Sequence, residues 1–424
     1  MPNQPFRKIT SNPRHSRRTV IVLAALALYA SGIHAAEPDA PMFSFSGFGT
    51  LGLVHSSEDQ ADFTSSVFKP NGAGYTHDWS PDVDSRLAAQ VTGNFTPKLS
   101  AILQVISEQN YDNKYTPAVE WANIRYAFTP DFSVRAGRIV LPTFLVSDFR
   151  KVGYANPWVR PSVEVYGLVP ITNNDGVDAS YRLRLGEITN TVQVSYGSTE
   201  AKIVDGSEIE GQDQWGIFNT AEYGPLTIHL TYYQSNFSIE SLGPLFDGFR
   251  QFGAEGIAIA DKYECNGKRV RLAGLGGSYD PGNWFLMGEW ARREGDCFIG
   301  GNTAWYVSGG FRFGKFTPYL TYAQTKADTN TSDPGLTVSA LPPFLAGAAT
   351  ALNAGLNAAL ATSPVQKTIS IGGRWDFRKN ADLKLQYDHT RLGEGSAGVL
   401  INLQPGFQTG GEFGVFSAVV DFVF

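Results

Sequence analysis

Phe413-Gly-Val-Phe-Ser-Ala-Val-Val-Asp-Phe-Val-Phe424 closes the chain. Phe416, Ala418, Val420, Phe422 and Phe424 fall on one face of an extended strand, with Ser417 and Asp421 on the other. Period-two alternation of this kind marks a strand with one dry and one wet face. Working back from it, the same period recurs in about sixteen segments of roughly ten residues, beginning with Phe43–Val54. The segments pair across short turns rich in Pro, Gly, Asn and Asp. Ser85–Phe95 and Leu99–Glu108 flank Thr96-Pro97-Lys98, and Val119–Phe128 and Phe132–Val140 flank Thr129-Pro130-Asp131. Gly216–Tyr223 and Leu226–Gln234 flank Gly224-Pro225, and Thr303–Phe313 and Phe316–Gln324 flank Gly314-Lys315.

Between these hairpins lie long polar stretches: 55–84, 109–118, 141–174, 198–215, 235–268, 294–302, 325–367 and 392–412. Short turns alternating with long loops predict an all-β fold, a 16-stranded antiparallel transmembrane β-barrel with periplasmic turns and extracellular loops. Aromatic residues border the turns repeatedly: Phe95, Phe128, Phe132, Tyr223, Tyr279, Trp284, Phe313, Phe316 and Phe377. All fall on the apolar parity, as an interfacial girdle requires.

Composition agrees. Of 424 residues only 17% are charged, while 45 are Gly, 28 Phe, 18 Tyr and 8 Trp. This excludes disorder, which needs high charge and few aromatics. No run of 18 apolar residues follows the N-terminal segment, which excludes a polytopic helical membrane protein. Arg7, Lys8, Arg14, Arg17 and Arg18 precede the apolar run Val20–Ala30, and small residues including Ala35 and Ala36 follow. That order reads as a secretory signal peptide over 1–36, with the barrel over 37–424. The leader takes five of the 34 basic residues and none of the 40 acids, leaving the exported chain at −11. Such a chain is a poor nucleic-acid binder. Walker, Rossmann and zinc spacings are absent from the sequence, so no cofactor, metal or catalytic residue is expected.

With leader, strand count, turns and terminal Phe424 together, the chain resembles Gram-negative outer-membrane porins over essentially its whole exported length. The general-diffusion type is the nearest in layout. The resemblance implies a homotrimer in the bacterial outer membrane, assembled through recognition of Phe424 by the barrel-assembly machinery. It implies a water-filled channel passing small hydrophilic solutes and ions. It also implies that the third loop, Leu141–Asn174, folds inward to narrow the pore. The chain departs from many such porins in lacking a Pro-Glu-Phe-Gly-like tip there. A substrate-selective channel and, behind it, a lipase-like barrel enzyme are the rival readings.

The parity opposite the girdle faces the lumen. It places Arg86, Arg125, Arg135, Arg182, Arg312 and Arg374 inside, together with Glu108, Asp178, Glu289, Asp376, Lys384 and Asp421. Counting from the turns sets Arg86 opposite Glu108 and Arg125 opposite Arg135. The second pairing destabilises the sheet unless a carboxylate or a passing anion offsets it. Asp148 and Glu164 of the third loop are the expected opposing acids of a constriction, and clustered arginines lean towards weak anion preference. Cys265 and Cys297 flank one hairpin nearly opposite each other, which predicts a disulfide in an oxidising compartment. Leu345, Ala349, Leu352, Leu356 and Leu360 predict a short helix in the loop 325–367, between Pro342-Pro343 and Pro364. Arg269, Arg271 and Arg292 take outward parity near the extracellular end, where lipopolysaccharide phosphates lie.

Overall fold

The computed structural model describes residues 41–424, so the expected leader at 1–36 lies outside the described residues. Among them, sixteen long strands close into one antiparallel barrel. They are β1 (Phe43–Ser56), β2 (Arg86–Asn94), β3 (Leu99–Glu108), β4 (Ala118–Ala127), β5 (Phe132–Val140), β6 (Asn173–Leu185), β7 (Ile188–Lys202) and β8 (Glu208–Tyr223). The second half comprises β9 (Leu226–Ile239), β10 (Lys268–Tyr279), β11 (Trp284–Gly295), β12 (Asn302–Phe311), β13 (Phe316–Ala327), β14 (Gln366–Arg378), β15 (Ala381–Leu392) and β16 (Glu412–Val423). Each strand pairs with its sequence neighbour, and β1 pairs with β16 from Phe48↔Val423 to Ser56↔Val415. Gly47 and Phe424 exchange backbone hydrogen bonds at 2.9 and 3.0 Å, sealing the seam. Closure leaves no unpaired edge, which hydrocarbon requires.

Tight turns between strands use residues that tolerate left-handed backbone. Gly224 (φ 55°) and Gly314 (φ 63°) sit in two of them, where a Cβ would be strained. On the barrel exterior Phe45, Leu51, Ile124, Leu185, Leu275, Leu320 and Ile371 are exposed, an arrangement that lipid favours and water does not. Rings cluster at the turn end, including Phe128 with Phe132 (5.5 Å between centroids) and Tyr279 with Trp284 (5.3 Å).

One expectation fails. Residues 198–215 are not a long loop: β7 and β8 run on to Lys202 and from Glu208, leaving only 203–207 between them. The register shifts between Gly197 and Thr199 and again near Asp213 (φ 48°), so the alternation loses its parity. Above the bilayer the outward face also meets water, and Glu200, Glu208 and Glu210 replace the apolar residues that mark a strand in sequence.

On the extracellular side, α2 (Gly243–Arg250) and α3 (Gly253–Tyr263) follow β9, and α4 (Pro343–Leu360) follows β13; α1 is the single turn Val163–Tyr166. Phe246, Phe249, Ile259, Leu356 and Leu360 form a small core among these longer helices, and Cys265 and Cys297 are joined within it, Cα atoms 5.2 Å apart. No described helix is long and apolar enough to cross a membrane.

Candidate functional site

The third loop leaves β5 at Leu141, whose N–H donates to Thr172 O at 3.0 Å, and turns into the barrel. It does so because it is amphipathic. Leu141, Phe144, Val146, Trp158, Val165 and Tyr166 pack with Phe218, Tyr233, Leu272, Phe285, Tyr306 and Tyr319 of the wall, making an apolar core inside the barrel. Polar tethers surround it. The buried Glu289 carboxylate accepts from Leu145 N–H (2.7 Å) and from the hydroxyls of Tyr166 (2.5 Å) and Tyr306 (2.9 Å). Trp158 Nε1 donates to Ser308 Oγ at 2.7 Å. Arg160 binds Asp84 through two nitrogens (3.0 and 2.6 Å) and reaches Asp388 at 3.2 Å. A buried guanidinium held by two carboxylates in fork geometry fixes direction as well as charge.

The tip descends furthest. Lys384 Nζ donates to Gly153 O (2.6 Å) and pairs with Asp421 (2.8 Å), and Arg374 Nη1 donates to the carbonyls of Tyr154 (2.6 Å) and Asn156 (3.0 Å). Tyr154 hydroxyl reaches Lys379 O at 2.6 Å, in the turn between β14 and β15. The loop therefore runs down the β14–β16 wall as far as the periplasmic turns.

The predicted residues separate into groups. Arg86 faces Glu108 as the register requires, at 3.7 Å, and Lys151 of the loop joins them. Lys151 Nζ lies 2.8 Å from Glu108 and 2.9 Å from Glu120. Burial alone would depress the Lys151 ammonium, but these two carboxylates outweigh it and hold its pKa above the ordinary value. Arg125 stands directly opposite Arg135. The offset comes from the wall: Arg135 forks onto Asp178 (Nε–Oδ2 2.9 Å), which also accepts from Gln193 at 2.9 Å. Arg182 lies within electrostatic range of Arg125. Three arginines thus gather around Asp178 on β4–β6. Asp148 of the loop faces Arg135 and Asp178; burial pushes its carboxyl above the usual range against the pull of Arg135.

Glu164, Arg312 and Arg374 stand apart from these clusters. Glu164 is buried against β14, bonded to Ser162 (2.7 Å), Gln366 (2.8 Å) and Thr368, and sits in the first turn of α1 on the far wall. Arg312 forks onto Asp280 (2.6 and 2.7 Å) near the Gly282 turn. Arg374 is buried, paired with Asp376 and Asp382 while it clamps the loop tip. Sequence parity assigned a face but not a depth. Glu120 escaped because the register shifts between Gln104 and Val105, bringing it inward out of turn. The lumen histidine, His229, is bonded to Thr220, Thr231 and Pro142 O. Those bonds make it a wall residue.

A closed sixteen-strand barrel, apolar outside and charged within, with a loop folded into its lumen, defines an outer-membrane channel. The sequence profile described as Gram-negative porin matches residues 22–395, and the chain belongs to that family. Solved structures similar in fold include the outer-membrane channel DcaP of Acinetobacter baumannii (12% identity, TM-score 0.56, 90% of this chain and 97% of that one). Salmonella typhi OmpF in complex with daunomycin is similar at 14% identity and TM-score 0.53, over 90% and 97%. OmpT of Vibrio cholerae, an outer-membrane protein folded in vitro, is similar at 11% and 0.51, over 92% and 100%. No curated protein sequence matches. The protein is a porin of the bacterial outer membrane, a channel for passive diffusion of small hydrophilic solutes and ions.

Proposed function

We propose that this porin favours anions, is not an enzyme, and works as a homotrimer. The observation carrying the preference is the arginine group Arg125, Arg135 and Arg182 on β4–β6 around Asp178. Of the two loop acids expected to oppose it, Asp148 faces the group and Glu164 is turned to the far wall. An excess of fixed positive charge in a narrow, low-dielectric passage concentrates anions and repels cations. The experiment is a reversal potential in a potassium chloride gradient, compared with Arg125→Glu combined with Arg135→Glu. The wild type should favour chloride and the variant should move towards potassium. An unchanged potential removes these arginines from the path.

The channel reading is supported against a lipase-like rival by the bonding of His229 to two threonines and a carbonyl. Current block that saturates with one solute would instead favour a substrate-selective channel. A cleaved leader at 1–36 and recognition of Phe424 by the barrel-assembly machinery belong to the same reading. Trimer contact is supported on β16 and β1–β3, whose outward face is apolar: Phe424 and Phe422 pack over Gly47 and Gly49, and Phe45, Leu51, Leu87 and Leu103 stand exposed beside Ala89 and Ala101. The remaining outward surface meets outer-membrane lipid, including lipopolysaccharide.

A further inference from the structure

The outer wall of β11–β13 carries a depression on its turn-end half. Trp284, Leu286, Phe311 and Leu320 stand exposed around it, and Gly309 and Pro318 form its floor. It holds about 510 Å³, the size of a small-ligand site rather than a packing gap. Packing within the chain does not require it. A Cβ on Gly309 would meet only Phe285 O at 3.5 Å and Leu286 Cδ1 at 3.7 Å, ordinary contacts, so a larger side chain has room there. Gly310 is the contrast: its Cβ would run into the Phe285 ring, so the interior dictates that glycine. Pro318 adds a cost, since it pairs with Gly373 in a ladder to which it cannot donate. Just beyond the depression, the turns after β12 and β14 expose Lys315, Arg378 and Lys379. Asp376 N–H donates to Lys315 O at 2.8 Å, and Lys315 Nζ to Phe377 O at 3.3 Å, so the two turns lie side by side. The acids close by are already engaged, Asp280 by Arg312 (2.6 Å) and Asp376 by Arg374 (2.9 Å). Among the described residues none of the three exposed cations has an ion-pair partner. Elsewhere on the same rim Asp131 faces Arg184 (3.2 Å) and Glu187 follows Gly186.

We propose that this depression, with the cations beneath it, is a binding site for an anionic phospholipid of the periplasmic leaflet. One acyl chain lies along Gly309 and Pro318, and the phosphate meets Lys315, Arg378 and Lys379. Shape and charge together select the partner. The depression is almost wholly apolar and opens to hydrocarbon, which suits a chain of methylenes held by dispersion. The cations stand at the turn end, level with the headgroups of the periplasmic leaflet, and attract net negative charge there. A zwitterionic phospholipid fills the depression equally well but offers the turns no net charge. The site lies on the exterior, so it stands apart from the anion preference of the lumen.

The test uses the full chain in nonionic detergent, titrated with phosphatidylglycerol or with phosphatidylethanolamine of the same acyl chains, and read by native mass spectrometry. Phosphatidylglycerol should bind at least about tenfold more tightly. Lys315→Gln, Arg378→Gln and Lys379→Gln together should abolish that difference. Gly309→Trp, which fills the depression from outside, should weaken both lipids at least about threefold. Lys98→Gln, at the turn between β2 and β3, should change neither. Equal affinity of the wild type for the two lipids overturns the proposal. So does full binding by Gly309→Trp, which would reduce the cations to an unspecific belt. Should Gly309→Trp not fold, Gly309→Leu should still weaken both lipids about twofold; no weakening overturns the site.

Discussion

At the scale of single residues, the lumen shows how one neighbour decides what a charge does. Arg135 and Arg374 share inward parity, yet one faces another arginine across a strand pair and the other clamps loop carbonyls. Lys69, in the loop after β1, is the sharpest case. Its ammonium is buried with Asp82 O as acceptor at 2.8 Å. Burial drops its pKa to about 8, with Glu108 pulling back upward and Arg86 pushing further down. The sign follows from the depression. Below about 8 the folded chain keeps this charge at a cost, and between about 8 and the ordinary lysine value of roughly 10.4 the unfolded chain holds more protons, so stability rises with pH across that window. The same deprotonation removes a cation beside Arg86 and Lys151. Anion preference should therefore fall between pH 7 and pH 9 with a midpoint near 8. In Lys69→Met that step in reversal potential should vanish; its persistence assigns the titration to another group.

Whole elements obey the same logic through contact. The tip of the third loop lies so close to the wall that a side chain at Gly153 would overlap the Asp421 carboxylate and the Thr50 hydroxyl. Gly153→Val should push the tip off the β16 wall and sever its bond to Lys384. Single-channel conductance should then rise or flicker, while the barrel keeps its heat-modifiable mobility on gels. A channel of unaltered conductance would mean the tip does not bound the path. Among the extracellular helices, the Cys265–Cys297 bond closes a separation of 32 residues, worth about 3–4 kcal/mol in the chain-entropy account. Replacing both cysteines by serine should expose α2 and α3 to trypsin at Arg250 and Lys262, with the strands still protected. Uniform cleavage throughout the chain would show that the bond supports the barrel as well.

On the scale of the whole molecule, the exterior divides into sectors. The face of β16 and β1–β3 is apolar and uncharged, with Phe45, Leu51, Leu87, Leu103 and Phe424 exposed on it, and the outward cations are concentrated on β10–β15. If this apolar face joins protomers, Ala89→Trp should convert trimers to monomers in detergent without unfolding the barrel. Light scattering reads the mass directly, and an unchanged mass would move the contact elsewhere. The interior divides too. Apolar packing of the third loop occupies the wall of β8–β13, and the arginines stand on β4–β6.

Most of the barrel was legible in the chain because hydrocarbon and water impose a period of two that needs no knowledge of distant residues. Strand pairing, the Arg86–Glu108 and Arg125–Arg135 registers and the aromatic border all follow from parity counted out from a turn. Legibility stopped where that rule stops. Outside the bilayer both faces of β7 and β8 are wet, and at the register shift beside Glu120 the count slips by one. The course of the third loop was decided only in three dimensions. Whether Glu164 opposes an arginine or Arg374 lines the water depends on apolar packing of Trp158, Val165 and Tyr166 against strands that lie far from them in sequence, and no local pattern encodes that contact.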